Sequence, residues 1–132
     1  DPVFLRTVAE VINDWEGMIK VVTVANSFPN ALMFDENGES VITSGNGFGG
    51  LSGSVLKPIG LGQVKQWRKW LSKKIDVIGC GGIATGRDVA DYLKVGATAV
   101  QVGTAFFEAL KTEKGVGIFD DILSEYVDIV LK

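Results

Sequence analysis

Two stretches of the 132-residue sequence carry residue types suited to holding an anion. In "IDVIGCGGIATG", residues 75–86, an apolar burst stops at Gly79, Cys80, Gly81 and Gly82, and a helix-like pattern follows. In "ATAVQVGTAFF" a second burst stops at Gly103 and Thr104. A phosphate needs several N–H donors converging on it, and side chains at those positions would hold it away, so glycine permits the close backbone approach. A helix starting near Ala105 would add partial positive charge, and the Thr104 hydroxyl another donor. The same glycines also suit tight strand-to-helix turns with no ligand. Their recurrence after successive strands favours the phosphate.

Other reactive residues are sparse. Histidine is absent, which removes the commonest acid–base catalyst and metal ligand, and a single cysteine leaves no zinc set, so no metal is expected. Cys80 reads as a small packing residue at a strand end rather than a base. Asp35 and Glu36 flank Asn37-Gly38 and read as solvated turn residues rather than an acid–base pair. Asn26 and Ser27 follow a strand, where position alone makes them turn formers. Lys57 reads as a surface residue, and the three tryptophans fit helix-core spacing.

The elements that must position these residues follow from periodicity. Phe4, Val8, Val11, Ile12 and Trp15 recur at helical spacing over residues 3–15. "IKVVTVA" (19–25) is a β-branched run suited to a strand buried on both faces. "NSFPNA" is rich in turn formers. "LMFDENGESVIT" predicts a hairpin closed by Asn37-Gly38, since a type I′ turn needs positive φ at both central residues. "SGNGFGGLSGS" (44–54) reads as a glycine-rich loop. Val64, Trp67, Trp70 and Leu71 mark a helix from about Pro58 to Ser72. A strand at 76–79, a helix at 86–95 entered through Thr85-Gly86-Arg87-Asp88, a strand at 98–102, and helices near 106–110 and 119–131 complete the order.

Strands alternating with helices predict an α/β fold with a parallel sheet. An open doubly wound sheet and part of a (β/α)8 barrel both fit. No G-x-G-x-x-G follows a strand, which weakens the first, and two successive glycine-ended strands suit the phosphate end of a barrel. Apolar residues are 46%, charged residues 22% and the net charge is -3, a soluble balance that argues against a nucleic-acid surface. No apolar run approaches the ~18 residues of a membrane span. The lone cysteine favours a reducing compartment, so a cytoplasmic location is expected. No signal peptide is visible, and a chain opening on Asp1 rather than Met suits a fragment.

At this point the sequence resembles a known family. "NSFPNALMFD", "NGFGGLSG", "KPIGL", "VIGCGGIATGRDVADYLKVGA" and "VQVGTAFF" occur in the order and near the spacing of the C-terminal part of the dihydroorotate dehydrogenases, most closely their soluble, homodimeric class. The resemblance covers nearly the whole chain. It implies a (β/α)8 barrel that binds FMN noncovalently and oxidises dihydroorotate to orotate in pyrimidine biosynthesis, with fumarate as a possible electron acceptor. It implies that Gly53, Cys80, Gly81, Gly82, Gly103 and Thr104 contact FMN and that Asn26 and Ser27 hydrogen-bond the orotate ring. The family's base lies on an upstream loop, so no catalytic residue is expected in this chain. A complete barrel needs ~250 residues. Residues 1–132 are therefore expected to be a single incomplete domain, the last three barrel strands with their helices and an inserted β-hairpin, inactive alone. Pro29 and Ala31 stand where the family pattern usually has glycine. Two other readings remain open: a phosphate-binding barrel enzyme acting on a phosphorylated metabolite, and a noncatalytic half-barrel module.

Overall fold

The computed structural model describes residues 2–132. Its strands are β1 (Val21–Thr23), β2 (Phe28–Ala31), β3 (Gly49–Leu51), β4 (Asp76–Cys80) and β5 (Ala99–Gln101). Its helices are α1 (Pro2–Asp14), α2 (Lys57–Trp70), α3 (Gly86–Lys94), α4 (Thr104–Leu110) and α5 (Ile118–Val130). β1, β4 and β5 form a parallel sheet in the order β1-β4-β5, with Val22 opposite Val77 and Gly79 opposite Val100.

Alternation along these strands decides which face is covered. Val22, Val77 and Val100 point to the helices and join a core with Ala9, Val64, Leu71, Ile75, Ile83 and Tyr92. Val21 and Thr23 point the other way and are exposed. The expectation that residues 19–25 are buried on both faces is thus corrected: the helices cover only one face, and Val21 is 50% exposed.

α1 docks through Ala9 and Ile12, whereas Phe4, Val11 and Trp15 form a second, exposed stripe. Trp15 is therefore not a core residue, unlike Trp67 and Trp70, which pack on the core. Asn13 ties α1 to the end of α2, donating to the Trp70 carbonyl at 2.9 Å and accepting the Ser72 N–H at 2.7 Å. α3 opens with the capping box written in Thr85 and Asp88 and packs on α5. Gly86 allows this contact, and its N–H donates to Glu125 at 2.9 Å.

The segment between β1 and α2 departs most from expectation. "NSFPNA" and the glycine-rich loop are not simple turns: β2 and β3 pair antiparallel, with an irregular register where Asn30 takes φ 62°. Beyond them the expected hairpin closes with a single bridge, Phe34 to Ser40. Only Gly38 of the Asn37-Gly38 pair has positive φ (81°), so the turn is not type I′. Asp35 explains this, because its carboxylate accepts the N–H groups of Asn37 (2.9 Å) and Glu39 (3.0 Å) and holds the turn open by one residue. Among the described residues, no helix is long and apolar enough to cross a membrane.

Candidate functional site

All three sheet strands deliver their C-terminal ends to one place. Asn26 and Ser27 follow β1, Cys80 ends β4 and runs into Gly81 and Gly82, and Gln101 ends β5 ahead of Gly103 and Thr104. With Ser52, Gly53 and Leu56 these residues line a cavity of about 570 Å³. Every residue singled out in the sequence as a candidate contact borders it. A second opening of about 490 Å³ beside it shares Asn26, Cys80 and Gln101.

The glycines are there for close approach. At Gly82 (φ 67°) a Cβ would lie 2.9 Å from the Lys57 nitrogen and 3.0 Å from the Gly53 carbonyl oxygen. Gly53 (φ 90°) is the facing wall, where a Cβ would lie 3.7 Å from Thr104 Cγ2. The space beside Gly103 is open for 4 Å. Gly82 and Thr104 thus each approach Gly53 within side-chain distance. Among the described residues, the N–H groups of Gly82, Gly103 and Thr104 serve no other hydrogen bond. α4 has only seven residues, so its dipole adds little and the amides themselves are the main donors. A cradle of free N–H groups that is open beside Gly103 and enclosed by backbone at Gly82 fits a phosphate.

Beneath the cradle lies a layer that residue types did not reveal. Tyr92 is fully buried and donates to the carbonyls of Gly81 (2.7 Å) and Cys80 (3.1 Å). Its burial pushes the phenol up to about 12. Gly60 of α2 and Gly79 of β4 lie directly against it. Lys57 is not the surface residue expected: its side chain is three-quarters covered, and Nζ meets Asp88 Oδ1 at 2.5 Å and Asp91 Oδ2 at 2.7 Å. Those bonds hold the lysine above its ordinary value. The other Asp88 oxygen accepts the N–H groups of Ala84 and Thr85, both at 2.9 Å. Burial alone would raise the Asp88 carboxyl, but the bonds from Lys57, Ala84 and Thr85 together outweigh it and hold it below its ordinary value.

Cys80 is a free thiol raised by burial, partly offset by the Gly81 N–H, which suits packing rather than base chemistry. On the cavity rim, Asn26 Oδ1 accepts the Ser27 N–H at 2.7 Å, leaving its amide NH2 as a donor. The Ser27 hydroxyl lies 2.7 Å from the Ser52 hydroxyl. Ser52 and Gln101 are lining residues the sequence reading passed over. Gln101 had a signal: in β5 it alternates with inward Val100 and so faces the same side as Cys80, its register partner.

Residues 5–127 match the dihydroorotate dehydrogenase family. The chain belongs to that family. It is 37% identical to dihydroorotate dehydrogenase A (fumarate) of Lactococcus lactis subsp. lactis over 133 residues, which are 100% of this chain and 40% of that protein. It is 37% identical to dihydroorotate dehydrogenase (fumarate) of Trypanosoma cruzi over 127 residues, 96% of this chain and 38% of that protein. The chain thus spans about 40% of the length of these curated relatives. Among solved structures, Eimeria tenella DHODH in complex with ferulenol matches 98% of this chain and 31% of its own, with a TM-score of 0.71 and 26% identity. The three parallel strands and their helices are accordingly part of a dihydroorotate dehydrogenase (β/α)8 barrel.

Proposed function

We propose that this chain is the C-terminal, cofactor-holding portion of an FMN-dependent barrel enzyme that oxidises dihydroorotate to orotate in pyrimidine biosynthesis. The observation that carries the reading is the convergence of Gly82, Gly103, Thr104 and Gly53 on one cavity whose rim holds Asn26 and Ser27. Gly82, Gly103 and Thr104 would hold the FMN phosphate by their N–H groups, and Gly53, Cys80 and Gly81 would lie against the cofactor beside them. Bound FMN would supply the two-electron acceptor for the substrate's oxidation. The chain's own residues bind and orient. The free Asn26 amide and the Ser27 hydroxyl are suited to the amide edges of a planar pyrimidine, and the neutral Cys80 thiol leaves the base to a segment outside this chain. The relatives' names carry fumarate, which supports fumarate as electron acceptor here. A cytoplasmic homodimer acting on small molecules, without nucleic acid or membrane, completes the proposal.

The test uses the full-length protein. Purified, it should show the absorbance of bound flavin, and dihydroorotate under anaerobic conditions should bleach that absorbance. Flavin-free protein that takes up no FMN, or bound flavin indifferent to dihydroorotate, would overturn the reading.

A further inference from the structure

Glycines at the end of β4 permit the backbone to present its amides to an anion, but they do not compel it. A peptide plane between two glycines can rotate about its flanking bonds at little steric cost, since both lack a Cβ. Rotated by half a turn, the same plane would aim a carbonyl oxygen at the anion and repel it. Some other group must choose between the two orientations.

We propose that Tyr92 is the positioning residue that turns the Gly82 N–H toward the cavity, an inference that rests on the phosphate reading of the site. In a trans peptide the C=O of one residue and the N–H of the next point in opposite directions. The Tyr92 hydroxyl bonds the Gly81 carbonyl at 2.7 Å, from the buried side. The N–H of Gly82, in the same plane, is therefore driven away from Tyr92. That side is the cavity, which both glycines line. The weaker bond to the Cys80 carbonyl, 3.1 Å, fixes the preceding plane, whose Gly81 N–H is taken up by the Cys80 thiol. The Gly82 N–H is free of other partners among the described residues, as a donor waiting for a ligand would be.

The hydroxyl is itself held in place. A Cβ at Gly79 would come within 3.0 Å of Tyr92 Cε1, and one at Gly60 within 3.0 Å of Cζ, so the ring is clamped between strand and helix. Burial keeps the phenol protonated well beyond neutral pH, so it remains a donor. Tyr92 touches no ligand in this arrangement; it acts through the backbone above it.

FMN and riboflavin separate the phosphate from the ring, because riboflavin lacks only the phosphate. Affinities of both would be measured by fluorescence titration of flavin-stripped full-length protein. Wild type should prefer FMN. Tyr92→Phe, which keeps the ring, should weaken FMN roughly tenfold and riboflavin by less than about twofold. Replacing Tyr92 by 4-aminophenylalanine, which returns an N–H donor at similar reach, should restore the preference for FMN. This second variant remains informative if the phenylalanine variant folds poorly. Equal weakening of both flavins in folded variants, or no weakening of FMN, would overturn the role of Tyr92. Wild type that binds FMN no better than riboflavin would instead overturn the phosphate reading, and the proposal with it.

Discussion

Gly60 separates an argument from local propensity from one based on packing, because the two give opposite signs. It lies within α2 with ordinary helical φ, where replacing glycine by alanine favours a helix by up to ~1 kcal/mol. Against this, its Cβ would overlap the Tyr92 hydroxyl and the Cys80 carbonyl oxygen. The carbonyl belongs to a central strand and Tyr92 is fully buried, so neither can yield cheaply. Overpacking of this kind costs about 1–3 kcal/mol. If the hydroxyl is pushed off the Gly81 carbonyl, the unsatisfied oxygen adds about 1–3 kcal/mol. Subtracting a propensity gain of about 1 kcal/mol leaves Gly60→Ala destabilising by roughly 1–5 kcal/mol. Gly62 is the control: it is exposed on the same helix with nothing within 4 Å of a Cβ, and Gly62→Ala should stabilise by about 0.5–1 kcal/mol. Urea unfolding of the flavin-free full-length protein, followed by circular dichroism, reads both changes as shifts in midpoint at constant slope. Combining Gly60→Ala with Tyr92→Phe removes the hydroxyl that the new methyl strikes, so the double variant should recover about 1 kcal/mol relative to the sum of the singles. A Gly60→Ala protein as stable as wild type, or strict additivity in the cycle, would refute the packing argument.

Three further outcomes follow from the same layer. Gly82→Ala combines a left-handed φ, costing an alanine about 1–2 kcal/mol, with contacts of 2.9–3.0 Å to the backbone of Lys57 and Gly53, so both stability and FMN retention should fall, read by unfolding and by flavin content after gel filtration. Gly86→Ala would drive a Cβ to 2.7 Å from the Ile122 carbonyl oxygen of α5, and a loss of at least about 2 kcal/mol is expected by the same unfolding measurement, without a special effect on FMN over riboflavin. The Asp88 carboxyl has a folded pKa below its ordinary 3.8, so the unfolded chain takes up the proton first as pH drops. Its stabilisation is complete above that value and lost as pH falls through the folded one; Asp88→Asn should therefore lower stability at pH 7 and flatten the acid limb of a stability–pH curve.

Much of this arrangement was legible from residue types, for a physical reason. Glycine reports directly on what the backbone must do, so Gly81, Gly82 and Gly103 located the strand-end turns before any coordinates did. The start of α3 was equally plain, because Thr85 and Asp88 form their cap within four residues. The pairing of β2 with β3 was hidden, since Pro29 and Asn30 carry turn chemistry and the ladder absorbs them through an irregular register. Lys57, Gly60 and Tyr92 were hidden for a different reason. Each acts through a partner more than ten positions away, and a surface lysine, a helical glycine and a helix tyrosine look alike until α2 and α3 are packed together.

The two ends of the cavity are supported differently, which predicts that they can be damaged separately. The end where we place the phosphate stands on Tyr92, Gly79, Gly60 and the Lys57–Asp88 pair, all within one packed layer of α2, α3 and β4. The rim at Asn26 and Ser27 is exposed; the Asn26 side chain accepts the Ser27 N–H, and the Ser27 hydroxyl pairs with that of Ser52. Removing the Asn26 side chain should therefore leave the cradle intact. Asn26→Ala in the full-length protein should retain wild-type FMN content and melting temperature while raising the KM for dihydroorotate roughly tenfold, the loss of one or two hydrogen bonds to a polar ligand. Steady-state kinetics with the flavin spectrum recorded on the same preparation checks both halves. Flavin lost in step with activity would mean that Asn26 supports the cofactor rather than the substrate, and an unchanged KM would remove it from the substrate site altogether.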